Sequence, residues 1–210
     1  MTAHQPTTRK RIGVFGGTFD PPHVGHMILA AEARSQLKLE KVLWVLTSVP
    51  PHKRNHSVSD TAQRQALVQA AIQDEPGFSL STIDIDRAGP HYAVDTMRLL
   101  RAQIPEADLI YLIGEDSLYD LPTWYQPQAL VDEVAGIGVM RRPGKVVDMA
   151  VLEAALPGIS SKVAFVEAPL LEISSRQVRQ RISEGEAFQY YLLPAVYELI
   201  QTRNYYRKRA

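Results

Sequence analysis

The sequence predicts an α/β fold: a Rossmann-like, doubly wound and mostly parallel sheet with a small helical C-terminal extension. Three observations predict it. Short apolar runs alternate with helix-period segments through the first two-thirds of the chain. The first apolar run ends in Gly16-Gly17, a tight turn leading into a helix. The 210 residues are 45% hydrophobic and 22% charged, enough apolar material for one substantial core.

Residues 1–10 are polar and basic and read as a loose tail, without the apolar stretch of a signal peptide. Residues 11–15 are a strand. Residues 24–37 take helical spacing through Met27, Ile28, Ala31 and Leu37. Residues 41–46 are β-branched and aromatic, as in a buried strand. A loop over 47–59 is rich in Pro, His, Lys and Asn. A helix over 60–73 follows, with Asp60 or Thr61 as its N-cap. Residues 78–85 are a strand, 92–103 a helix and 108–113 a strand ending in Gly114-Glu115-Asp116. Residues 134–140 are a strand ending in Arg141-Arg142-Pro143-Gly144, and 162–166 a short strand. Helices over 174–183 and 194–203 close the chain. No repeat or low-complexity linker divides it. Residues 11–170 form the core, and 171–210 extend the same domain.

Charge and cysteine content exclude several functions. The 23 basic and 23 acidic side chains cancel, so generic binding to nucleic acid or an anionic membrane is not expected. Any anion site must be local. Without cysteine there are no disulfides, thiolate metal sites or cysteine nucleophiles. The apolar run of residues 42–46 falls far short of the roughly 20 residues a membrane span needs. A cytoplasmic protein is expected; self-association stays open.

The segment Gly16-Gly17-Thr18-Phe19-Asp20-Pro21-Pro22-His23-Val24-Gly25-His26 carries the chemistry. It lies between the first strand and first helix, where open parallel sheets bind ligands. Gly16 and Gly17 let backbone approach a ligand and take φ above zero. Asp20-Pro21-Pro22 fixes a turn. A helix starting near Val24 offers free N–H groups and a positive dipole end to an anion. His23 and His26, three apart, share a helical face beside it and can donate N–H bonds to phosphate. Gly25 keeps the backbone between them clear of bulk. A plain turn with two surface histidines is the bland alternative, and the full arrangement behind a strand outweighs it. A second strand-to-helix junction, Ile173-Ser174-Ser175-Arg176-Gln177-Val178-Arg179, offers serine caps and two arginines three apart. Taken alone, a capped helix with solvated arginines explains it better.

The first segment resembles the signature of the nucleotidyltransferase superfamily with the His-x-Gly-His motif. The resemblance implies that His23 and His26 contact the α- and β-phosphates of ATP, that Thr18 binds or orients phosphate, and that attack is direct, without a covalent intermediate. Ser174, Ser175 and Arg179 match a triphosphate-binding element of that superfamily; Arg176 stands where Thr is common. Four further segments follow: Pro50-Pro51-His52-Lys53, Ile113-Gly114-Glu115-Asp116-Ser117, Leu121-Pro122-Thr123-Trp124-Tyr125 and Arg141-Arg142-Pro143-Gly144. In that order they closely resemble the bacterial nicotinate mononucleotide adenylyltransferases, over nearly the whole chain.

That family likeness implies an ATP site of Gly16, Gly17, Thr18, Phe19, His23, Gly25, His26, Gly114, Asp116, Arg141, Ser174, Ser175 and Arg179. It implies an acceptor site of Thr47, Lys53, Tyr92, Ala93, Trp124 and Tyr125. His23, His26 and Lys53 are the catalytic candidates, with Lys53 as a point cation for phosphate. Trp124 is an aromatic platform for a pyridine ring. Asp116, at a strand end, suits ribose hydroxyls. Mg²⁺ is expected to ride on ATP, with no protein metal cage. The partners are then ATP and nicotinate mononucleotide. Two departures stand out: Leu46-Thr47 replaces a frequent Pro-Asn, and His91-Tyr92-Ala93 replaces a frequent Ser-Tyr-Thr. Ala93 keeps its backbone N–H for a nicotinate carboxylate but lacks the hydroxyl, so nicotinamide mononucleotide remains the alternative acceptor. Phosphopantetheine adenylyltransferase is disfavoured by the Trp124 segment. A non-catalytic nucleotide sensor is disfavoured by the intact His23, His26, Lys53 and Ser175.

Overall fold

The computed structural model describes residues 9–47, 58–141, 147–169 and 171–207. Its strands are β1 (Lys10–Gly17), β2 (Lys41–Leu46), β3 (Phe78–Ser81), β4 (Ala107–Gly114), β5 (Gly136–Met140) and β6 (Val163–Val166). They form one sheet in the order β3-β2-β1-β4-β5-β6. Each pairing is parallel, so the sheet is wholly rather than mostly parallel. The chain runs outward from β1 to β3, then returns to place β4 on the other side of β1. That reversal opens a crevice at the carboxyl ends of β1 and β4.

Period-two alternation sorts each strand's side chains into two cores. Phe15, Val42, Trp44, Leu46, Ile110 and Leu112 meet one layer of helices: α1 (Val24–Gln36), α2 (Thr61–Ile72), α7 (Ser175–Glu184) and α8 (Pro194–Arg203). Ile12, Val14, Leu43, Val45, Leu109 and Ile113 meet the other: α3 (Ala93–Gln103), α4 (Glu115–Asp120), α5 (Pro127–Glu133) and α6 (Met149–Ala155). Val178, Ile182, Val196 and Ile200 of the C-terminal helices are buried with Phe15 and Trp44, so those helices complete the first layer. No described helix is long and apolar enough to cross a membrane.

Several expectations are corrected. The strand expected over 78–85 stops at Ser81. The next residues turn, with the Thr82 hydroxyl donating to Asp86 at 2.6 Å. The strand expected from 134 begins at Gly136, because α5 occupies the chain through Glu133. Helices α4, α5 and α6 were not anticipated. At six or seven residues each, they are too short to show a periodicity, and packing rather than propensity holds them. Asp60 does cap α2, accepting from the N–H groups of Ala62 and Gln63.

Candidate active site

The β1–α1 turn is where the chain's local chemistry is most constrained. Gly16 and Gly17 do not take φ above zero as expected; the left-handed residue there is Phe19, at φ 47°. Such a φ costs about 1 kcal/mol or more for a side chain of this size. Burial of the ring offsets it: Phe19 lies against Phe15, His26 and Trp44, with centroids 5.4, 5.2 and 4.9 Å away. The ring folds back over Gly17, where an added Cβ would come within 2.7 Å of it. Gly17 therefore makes room for Phe19, whereas Gly16 leaves the cleft floor bare.

His23 is the N-cap of α1 and is 3% exposed. Its backbone N–H donates to the Nδ1 of His26 at 3.2 Å. An accepting Nδ1 carries no proton, so the neutral His26 ring holds its proton on Nε2 and is a donor there. The two imidazoles lie face to face, 3.7 Å between centroids and 31° apart. Gly25 permits this, since a Cβ would meet the His23 ring at 3.0–3.1 Å.

Residues far along the chain brace this turn. Asp20, 4% exposed, accepts from the Tyr206 hydroxyl at 2.8 Å and from the Ser59 N–H at 3.1 Å. Burial first, then the Asp20 charge, push the Tyr206 phenol well above its usual pKa, so it stays a donor. Arg179 of α7 donates to the Asp20 carbonyl at 2.6 Å and lies 3.7 Å from its carboxylate. The Ser175 hydroxyl donates to the Pro21 carbonyl at 2.8 Å. Ser174 caps α7 by accepting from the Gln177 N–H. The C-terminal Ser-Ser-Arg element thus holds the first motif in place while also lining the same cleft.

Arg64 of α2, 1% exposed, completes the brace. Its guanidinium donates to the carbonyls of Thr18, Thr47 and Ser59 at 2.9, 2.7 and 3.0 Å, and to the Thr61 hydroxyl at 3.2 Å. Burial lowers its pKa, against the raising influence of Asp20. One planar fork ties together the first motif, the end of β2 and the approach to α2.

The other end of the cleft is aromatic. Tyr92, the N-cap of α3, stacks on Tyr125 with centroids 4.1 Å apart. Trp124 stands edge-on to Tyr111, 6.4 Å away and at 80°. Beneath them, Asp84 accepts from the Thr96 hydroxyl at 2.6 Å and from Arg87 at 3.1 Å. His91 lines the same region, with Nε2 3.1 Å from the Arg87 carbonyl.

A single cleft of about 1300 Å³ joins the two ends. It gathers Gly16, Gly17, Thr18, Phe19, His23, His26, Thr47, Tyr92, Ala93, Gly114, Asp116, Trp124, Tyr125, Ser174, Ser175 and Arg179. Two expected residues are not part of its lining. Gly25 is buried behind His23, and Arg141 pairs with Glu167 at 2.9 Å and covers the Phe165 ring. Lys53 and Arg142 lie outside the described residues, as does the Pro50-Pro51-His52-Lys53 segment. The sequence reading missed Arg64, Asp84, Tyr111 and Tyr206, and saw Asp20 only as part of a turn. Each is a common polar residue without a local motif, and only its place in the fold marks it. Among the described residues, no cluster of three or more His, Cys, Asp or Glu could hold a metal ion.

Comparison with known proteins gives a consistent kinship. The cytidylyltransferase-like family model matches residues 14–181. A protein of Thermomicrobium roseum, named probable nicotinate-nucleotide adenylyltransferase, is 41% identical over 94% of this chain and 92% of its own. The nicotinate-nucleotide adenylyltransferase of Bacillus subtilis is 34% identical over 94% of this chain and 98% of its own. The fold is also that of Plasmodium falciparum nicotinic acid mononucleotide adenylyltransferase, solved in complex with NaAD. That likeness has a TM-score of 0.76 at 18% identity, over 94% of this chain and 97% of that one.

Proposed function

From the premise that the chain belongs to the cytidylyltransferase-like family, and within it to the nicotinate-nucleotide adenylyltransferases, we propose how its own residues transfer the adenylyl group of ATP to nicotinate mononucleotide. The products are nicotinic acid adenine dinucleotide and pyrophosphate, and the reaction serves NAD biosynthesis. One observation carries the reading: a donor pair at a helix N-terminus and an aromatic wall share one cleft at the sheet's switch point.

ATP lies with its phosphates over Gly16 and the start of α1. His26 Nε2–H and the His23 ring face the α- and β-phosphates, and the N-terminus of α1 adds its positive potential. Ser174, Ser175, Arg176 and Arg179 line the triphosphate side, and Asp116 the ribose side. The pyridine ring of the acceptor rests against Trp124, with its carboxylate at the N-terminus of α3 near the Ala93 N–H. A phosphate oxygen of the acceptor attacks the α-phosphorus. The new P–O bond forms as the bond to the β-phosphate bridging oxygen breaks, and pyrophosphate leaves with that electron pair. The attacking oxygen is already anionic, so no protein base is required; alignment and charge stabilisation supply the rate. Mg²⁺ enters as the counter-ion of ATP, and Lys53 is a further cation toward the phosphates. The proposal includes a cytoplasmic location.

The positive end of α3 favours a carboxylate over a carboxamide, which places nicotinate ahead of nicotinamide. The test is pyrophosphate release from Mg-ATP with either mononucleotide. Release with nicotinate mononucleotide is expected. Faster release with nicotinamide mononucleotide reverses the preference, and none with either overturns the assignment.

A further inference from the structure

Tyr111 belongs to no motif in the sequence, yet it stands at the middle of the cleft. It pairs with Val14 across the β1–β4 seam, so its side chain leaves the sheet on the same face as Val14 and Gly16. A Cβ placed on Gly16 would find Tyr111 Oη 4.0 Å away, and no nearer neighbour across space among the described residues. Whatever lies over the bare backbone of Gly16 therefore lies against this hydroxyl. The ring is held by its edge-on contact with Trp124. The hydroxyl opens on the cleft, and no described residue takes its proton. Asp84, the nearest acid it senses, already accepts from Thr96 and Arg87.

We propose that the Tyr111 hydroxyl is a binding group for the acceptor, donating a hydrogen bond to its ribose-phosphate where acceptor and ATP meet. The inference rests on the proposed function. With the pyridine ring against Trp124 and the reacting phosphates over Gly16, the ribose-phosphate must span the gap between, and Tyr111 places a polar group beside Gly16 on the floor of that gap. Burial, and then the Asp84 charge, push the phenol far above its ordinary pKa. It stays protonated at any working pH and is a permanent donor. The bond would form equally in ground and transition states, and should therefore appear in KM rather than kcat.

The experiment is steady-state kinetics on the full chain with Mg-ATP and nicotinate mononucleotide, comparing wild type with Tyr111→Phe. The KM for the mononucleotide should rise about fivefold to tenfold, the loss of one hydrogen bond. The KM for ATP, kcat and the melting temperature should barely move. Calorimetry with the dinucleotide product should show affinity weakened by a similar factor. An unchanged acceptor KM in Tyr111→Phe overturns the proposal. So does a rise shared equally by both substrates with a lowered melting temperature, which would mark a structural hydroxyl. If wild type releases no pyrophosphate with either mononucleotide, the proposed function fails and this inference falls with it. Turnover by wild type with an indifferent Tyr111→Phe sinks this inference alone.

Discussion

The two ends of the cleft are built on opposite principles. At the histidine end, buried and half-buried polar groups from distant parts of the chain cross-brace one turn. Asp20, Arg64, Ser175, Arg179 and Tyr206 spend their hydrogen bonds on backbone carbonyls and on one another. At the aromatic end, Tyr92, Trp124 and Tyr125 are half-buried or exposed and meet mainly through ring contacts. The difference fits the roles proposed for the two ends. Charge stabilisation during phosphoryl transfer gains most from donors already fixed in place. Seating a flat ring needs a surface and tolerates small adjustments.

The comparison can be broken most severely at His26. His26→Ala should lower kcat by about 10²- to 10³-fold, the usual cost of losing one preorganised donor, with an intact melting transition. An unfolded variant would make His26 structural; a near-normal rate would remove it from the mechanism. Next comes the brace. Arg64→Ala strands three carbonyls that a single guanidinium satisfies, and should cost about 3 kcal/mol of stability. For a chain of this size that is a drop of about 6–12 °C in melting temperature by calorimetry. A melting point unmoved by Arg64→Ala would mean water replaces the brace freely.

Two adjacent glycines sharpen the contrast at smaller scale. Gly17→Ala drives a methyl into the Phe19 ring and should destabilise by about 1–3 kcal/mol. Gly16→Ala meets only ordinary contact and should melt near wild type, yet its methyl would occupy the floor on which the substrates are proposed to rest. Loss of activity without loss of stability is the expected signature for Gly16, and both losses together for Gly17. The mildest change belongs to the aromatic end. Trp124→Ala should raise the acceptor KM about tenfold, as loss of a stacking platform does. Its effect on melting should be smaller than that of Arg64→Ala. A variant that instead collapses in a thermal melt would make Trp124 part of the brace rather than the seat.

Much of this was legible without coordinates, and what was missed has a common cause. Strands β1, β2 and β4 and helices α1, α2 and α3 carry apolar patterns long enough to show, and Asp60 announces its cap. The histidine motif was legible because its parts are contiguous and its geometry is local: His23 caps the helix that His26 sits on. The short helices α4 to α6 were not, because a helix of one or two turns has no periodicity of its own and exists by packing. Arg64 and Tyr206 were invisible for a further reason. An arginine in a helix and a tyrosine near a basic tail are ordinary until the fold brings them to the turn that holds Asp20.

By itself, the sequence determined the α/β alternation, the strand-to-helix turn after the first strand, and the two histidines proposed there as phosphate donors. Those depend on neighbours within a few residues, where backbone geometry and hydrogen-bonding capacity are dictated by residue type. Only the tertiary structure decided the order of the strands, and hence which turns share one cleft. It also decided that Ser175 and Arg179 hold Asp20-Pro21, and that Tyr111 opens beside Gly16. Each of those is a contact between residues far apart along the chain. No local pattern encodes it, because the burial and proximity that give it meaning arise only when the sheet closes around its two cores.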